Sequence, residues 1–379
     1  MVTNLVRSAI ASVLAVAAAT ASAQQAPARW SVDPTPMLTL GESQADTNDM
    51  FTQVVGATRL PDGRMLVGDL GSYALRLFSA DGKLVRRFGR KGAGPGEIGY
   101  LKTLLRCGDS VVTLDIDGNR TSVFTLGGEY VRTFRFSSPQ PGRPPYTTAC
   151  NSRNEFVHYG WEQREDMKGG AYRPMVPLWL SKADTVTPAA IATIAGSERY
   201  GQVVDKQLRG VRPLPLGKQT AIAIGSDRVY VATGDTYEIA VYDFAGKPRP
   251  SIRDSRPVQP TTRADIDHLK ALATALATPS RQAAIERDLD AMPLPNVLPA
   301  YTALLVDRAG LLWAQDYPRS TSPTAAWTVF DVGTRRVATV GLPTHLEVYE
   351  IGDDYVLGRF LDPNEAVPQV RLYRLRRGR

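Results

Sequence analysis

Three aspartates, Asp69, Asp115 and Asp316, follow short apolar strands at one repeated position. A ring of such carboxylates would suit a hard divalent cation such as Ca2+. The simpler reading is that each bonds the backbone of its turn, as strand-end Asp commonly does. Residues 115–119, Asp-Ile-Asp-Gly-Asn, match the start of a calcium loop, but such a loop needs Glu at 126 and Leu126 stands there. A second candidate is the glycine-rich stretch 89–97, where Arg90 and Lys91, with Glu97 closing the run, could receive a carboxylate or phosphate. It lacks a Gly-Lys-Ser/Thr end and no apolar helix follows, so it is not a nucleotide cradle. Its glycines and Pro95 suit a sharp crossover between strands. His158, His268 and His345 stand apart from one another and from Cys, without zinc-ligand spacing. No Gly-x-Ser-x-Gly elbow is present. Trp161 and Trp327, with Arg90, are expected on an extended polar loop surface suited to a protein, peptide or glycan.

Composition narrows the classes. The chain has 379 residues, 43% hydrophobic and 22% charged, which describes a folded globular protein. Two cysteines and three histidines leave little material for a soft-metal cage. Residues 1–23 read as a secretory signal: Arg7 is the basic start, residues 9–19 the apolar run, and Ala21-Ser22-Ala23 the cleavage pattern. That run is shorter than the ~20 residues a membrane span needs, and no later run is longer. The expected mature chain starts at Gln24, in the periplasm or outside the cell, where Cys107 and Cys150 could form a disulfide or remain buried thiols. Export argues against a nucleic-acid role for the net charge of +7 and the Arg-rich tail at 371–379. That tail alternates as a strand with one solvated face.

The elements that position these residues repeat. Residues 57–90 align without a gap to 103–136: Asp69 with Asp115, Phe78 with Phe124, Gly82 with Gly128, Val85 with Val131 and Phe88 with Phe134. Each copy reads strand, Asp, polar turn, strand ending in Phe, Gly turn, strand, and such turns are hairpin signals. More worn copies centre on residues 228–247, 310–330 and 355–373, with Thr233 and Arg359 at the Asp position of two of them. Residues 155–157 and 178–180 supply a degenerate one. Six units with a period of 40–50 residues indicate a propeller or solenoid, and a closed ring leaves only short, protected edges.

The sequence therefore predicts an all-β fold, a six-bladed β-propeller of four-stranded antiparallel blades forming one domain over residues 24–379. The last copy lacks an outer strand, which residues 37–40 can supply from the N-terminus. Residues 262–291 break the pattern. Thr262 with Asp265 looks like a capping start, and Thr278-Pro279 opens a second helix. This helical hairpin is expected between blades 4 and 5, as a side decoration or as a lid.

Residues 88–97 and the hairpin at 114–120 resemble exported bacterial six-bladed β-propellers related to NHL repeats. The resemblance covers the mature chain in organisation, with good motif matches in the first two blades; Arg120 replaces the usual His. It implies the propeller fold and leaves activity open, since relatives of the architecture include binding scaffolds and a few lyases and lactonases. The expected function is a non-catalytic, monomeric propeller without a cofactor, binding an envelope or extracellular partner on one face. The alternative is a metal-dependent lactonase- or lyase-like enzyme using Asp69, Asp115 and Asp316.

Overall fold

Short strands alternate with turns that require left-handed backbone. Gly82 (φ 88°) and Gly128 (φ 85°) hold the same turn in two repeats. A Cβ on Gly128 would lie 2.3 Å from the Phe88 ring, so the close approach also needs glycine. The computed structural model describes residues 28–41, 50–140, 143, 145–162, 167–182, 187–275, 277–319, 322–333, 335–362 and 367–378. The expected signal at 1–23 lies outside the described residues.

The N-terminal segment gives β1 (Ala28–Arg29), β2 (Ser31–Val32) and β3 (Leu38–Leu40). An antiparallel sheet follows from β4 (Val54–Arg59), β5 (Met65–Asp69), β6 (Ala74–Phe78) and β7 (Leu84–Phe88). The next contains β8 (Leu101–Cys107), β9 (Ser110–Asp115), β10 (Arg120–Thr125) and β11 (Tyr130–Phe134). A third joins β12 (Tyr146–Cys150) and β13 (Glu155–Tyr159), then, after β14 (Gly170–Tyr172), β15 (Met175–Lys182) and β16 (Ala189–Ala195). Strand β14 instead pairs in a small sheet with β17 (Arg199–Val204) and β18 (Gln207–Pro213).

Another four-stranded sheet comprises β19 (Ala221–Ile224), β20 (Arg228–Ala232), β21 (Glu238–Asp243) and β22 (Pro248–Arg253). Two helices come next, α1 (Arg263–Thr274) and α2 (Pro279–Asp290). Thr262 caps α1 in a reciprocal box with Asp265, which satisfies amides a bare helix start would leave open. The chain returns to β23 (Tyr301–Val306), β24 (Leu312–Asp316), β25 (Thr324–Phe330) and β26 (Arg336–Pro343), with β1 running parallel on β26. Finally β27 (Leu346–Ile351), β28 (Tyr355–Phe360) and β29 (Gln369–Arg376) form a sheet whose outer strand β29 pairs with both β3 and β2. This mostly β architecture of four-stranded antiparallel sheets is consistent with a β-propeller.

The apolar core lies between sheets. Leu66, Leu75 and Leu77 pack on Leu101, Leu104 and Val111 of the following sheet. Met65, Val67 and Phe78 pack on Tyr355, Leu357 and Val370, joining the last sheet to the first. Fully burying one such side chain contributes about 1.5–3 kcal/mol, so each sheet depends on its neighbours. Cys107 and Cys150, at the ends of β8 and β12, form a disulfide with Cα atoms 5.6 Å apart.

Candidate functional site

Antiparallel strand order assigns the connections to two sides of the stack. Turns from inner to second strand leave one side, the turn side. Turns from second to third strand, and crossovers to the next sheet, leave the other.

A bulge on the inner strands fixes the repeated Asp position. One extra residue interrupts pairing in β4, β8, β12, β23 and β27, namely Val55, Lys102, Thr148, Thr302 and Tyr349. Opposite the residue before the bulge stand Asp69, Asp115, His158, Asp316 and Gly358. Sequence comparison had aligned Arg359 there; the bulge moves the equivalence by one residue. It had also missed His158 as the counterpart of the aspartates.

The three aspartates sit in separate sheets, and each is engaged. Asp69 accepts from the amides of Thr52 and Gln53 at 3.2 and 2.8 Å, and from Arg76 at 2.9 Å. Asp115 accepts from Gly99, Tyr100 and Asp117 amides at 2.6, 2.7 and 3.0 Å, and from Arg120 at 2.5 Å. Asp316 takes both Nη atoms of Arg256, at 2.7 and 3.2 Å. These carboxylates anchor crossovers and neutralise guanidiniums. Among the described residues no three His, Cys, Asp or Glu converge as metal ligands.

His158 is fully buried, with Nδ1 3.0 Å from Thr147 Oγ1 and Nε2 2.6 Å from Ser181 Oγ. Burial lowers its pKa to about 3, so the ring stays neutral at ordinary pH.

The 89–97 loop is folded onto itself. Glu97 accepts from the Gly94 amide at 2.8 Å and from Arg90 at 2.8 Å, and these two contacts hold its carboxyl below the usual range. Lys91 lies over the Tyr73 ring at 5.2 Å. Arg90 remains well exposed to solvent.

The two tryptophans separate. Trp161 is 40% exposed on the crossover side, where Gln140 bonds both its backbone N–H and C=O. Trp327 is 2% exposed, which corrects its expected place on a loop surface. It lies in β25, where every residue from Trp327 to Phe330 is buried, both faces of the strand being covered, and its ring packs against Trp313.

Insertions enlarge the crossover side. The β14–β17–β18 sheet grows from connections around β13, β15 and β19, and the helical pair from the β22–β23 crossover. Between β17 and β18, Asp205 (φ 50°) and Lys206 (φ 63°) make a two-residue turn with both centres left-handed. It presents Val203, Val204 and Leu208 to solvent, and Met175 at the start of β15 is exposed as well. Below, Arg173 bonds both Asp235 oxygens at 2.8 Å, with Lys218 3.6 Å away. Burial opposes ionisation of Asp235, yet Thr233 and Arg173 keep its carboxyl below the usual range.

No protein-family model matches the chain, and no curated protein matches it. Solved structures with related outlines include a protein from Bacteroides fragilis described as exported, at 15% identity and TM-score 0.46, covering 92% of this chain and 98% of that one. A DUF4221-family member from Bacteroides vulgatus is 10% identical at TM-score 0.46, covering 93% and 98%. A calcium-binding protein, regucalcin, from Agrobacterium tumefaciens is 10% identical at TM-score 0.41, covering 87% and 92%. At such values, function has to be argued from this chain's own geometry.

Proposed function

We propose that the chain is an exported six-bladed β-propeller that binds a protein or peptide ligand on its crossover side. The carrying observation is the β17–β18 hairpin, which holds Val203, Val204 and Leu208 in solvent on a two-residue turn. An isolated apolar hairpin tip costs solubility, and contact with a partner offsets that cost.

Support for the ring comes from packing. Inner strands β4, β8, β12, β19 and β23 touch in succession, and β27 packs on β4. The pairing of β3 with β29 supports closure of the last blade by the N-terminus, and the place of the helical pair between β22 and β23 supports reading it as an insertion between blades 4 and 5. One such ring accounts for residues 24–379 as a single domain. Export rests on the signal-like residues 1–23. Among the described residues no helix is long and apolar enough to cross a membrane.

The test is site-specific photo-crosslinking in the native host. A photoreactive residue replaces Trp161 or Val204 on the crossover side, or Val332 on the turn side. The reading expects one discrete adduct from the first two positions. Adducts from Val332 alone, or none from Trp161 and Val204, would sink it.

A further inference from the structure

On the opposite side, inner-strand ends bring the guanidiniums of Arg106 and Arg308 together on the backbone of Arg59. Arg59 ends β4, Arg106 lies near the end of β8, and Arg308 follows β23. Arg106 Nη1 and Arg308 Nη2 both donate to the Arg59 carbonyl oxygen, each at 2.9 Å. Two such bonds to one oxygen hold the donor nitrogens within about 6 Å of each other. Like charges at that separation repel, and a neighbouring anion offsets that repulsion.

The local carboxylates pair with Arg308 and Arg59 and leave Arg106 without a direct ion-pair partner. Glu350 of β27 is consumed: one oxygen accepts from Thr58 at 2.5 Å, and the other from Arg308 at 2.9 Å and from the Tyr355 hydroxyl. Asp354 is 3.7 Å from Arg59 and two-thirds exposed, so water weakens its attraction. Among the described residues Arg106 has no ion-pair partner; its bonded acceptors are the carbonyls of Arg59 and Gly108. Arg59 Nε is buried without a hydrogen-bond partner. Burial, followed by the charge of Arg308, depresses the Arg106 pKa, while Glu350 and Asp109 partly offset this. Solvent still reaches the cluster, since the side chains of Arg59 and Arg308 are about one-third exposed.

We propose that the guanidiniums of Arg106 and Arg308 form a binding site for an oxyanion, the carboxylate or phosphate group of a small molecule, at the turn-side mouth of the ring. The anion would lie against these two guanidiniums, which share the Arg59 carbonyl, and would supply the ion-pair partner that Arg106 lacks. The site is separate from the crossover-side ligand surface and stands without it.

Isothermal titration of the mature protein with inorganic phosphate, and separately with citrate, tests this at constant ionic strength set by NaCl. The expected result is a saturable one-to-one heat for at least one probe, and which probe binds tells phosphate from carboxylate. Arg106→Gln should weaken it at least ~10-fold, with Arg106→Lys in between. Circular dichroism checks that the variants fold. Should Arg106→Gln not fold, phenylglyoxal modification of the wild type read by mass spectrometry replaces it, and the binding probe should protect Arg106 and Arg308. No saturable heat with either probe, equal affinity in a folded Arg106→Gln, or modification unaffected by both probes would overturn the proposal.

Discussion

Arg212 Nη1 of β18 lies 2.6 Å from Asp288 Oδ2 of α2, tying together two insertions that enter from different crossovers. Both side chains are over one-third exposed, so the pair contributes only about 0.2–1 kcal/mol. Its consequence is local. Asp288→Ala should leave the main unfolding transition almost unchanged while amide exchange quickens in α1, α2 and β18. Exchange that accelerates equally in β5 and β9 would show instead that the insertions brace the whole stack.

The buried Asp115–Arg120 pair behaves differently. Asp115→Ala leaves the Arg120 guanidinium buried without its carboxylate and removes an acceptor for three amides. Breaking such a pair costs about 3–5 kcal/mol, seen as a lower urea midpoint at unchanged slope. Metal content should not change. Loss of a stoichiometric divalent ion in this variant would revive the carboxylate-ring reading.

His158 makes stability depend on pH in a defined direction. Its folded pKa is lowered to about 3 by burial, whereas the unfolded chain titrates near ~6.5. Below that value the unfolded state binds a proton that the native state refuses. The contribution is therefore complete above pH ~6.5 and erodes as pH falls towards 3, by at most about 1.4 kcal/mol per pH unit. Urea midpoints of wild type and His158→Gln should diverge at neutral pH and converge between pH 6 and about 4. Parallel profiles would assign the acid sensitivity elsewhere.

The Cys107–Cys150 bond closes a loop with a sequence separation of 43. Chain entropy alone puts its contribution at about 4 kcal/mol. Replacing both residues by Ser should lower the melting temperature by several degrees, and adding reductant should affect only the wild type.

The sequence made some of this legible and hid the rest for physical reasons. Asp69 and Asp115 were alignable because two consecutive repeats run without a gap and share a left-handed glycine, Gly82 and Gly128, at one turn. The helical pair announced itself through Thr262, Asp265 and Pro279. Strands β17 and β18 did not, because they are largely exposed and show no alternation of buried and polar residues. Trp327 was misplaced because residue type alone suggested a binding surface, whereas β25 is covered on both faces from Trp327 to Phe330. The meeting of Arg106, Arg308 and Glu350 at the Arg59 backbone was invisible, since only packing between sheets brings together residues so far apart in the chain.

Hydrogen–deuterium exchange gives the most direct test of the crossover side as the working surface. The mature protein would be exchanged alone and after incubation with an envelope extract of its host, then recovered through a tag. The account predicts slower exchange confined to residues 167–175 and 199–213. Protection at the turns around 60–64, 225–228 and 331–333 instead, with the β17–β18 hairpin unchanged, would contradict it.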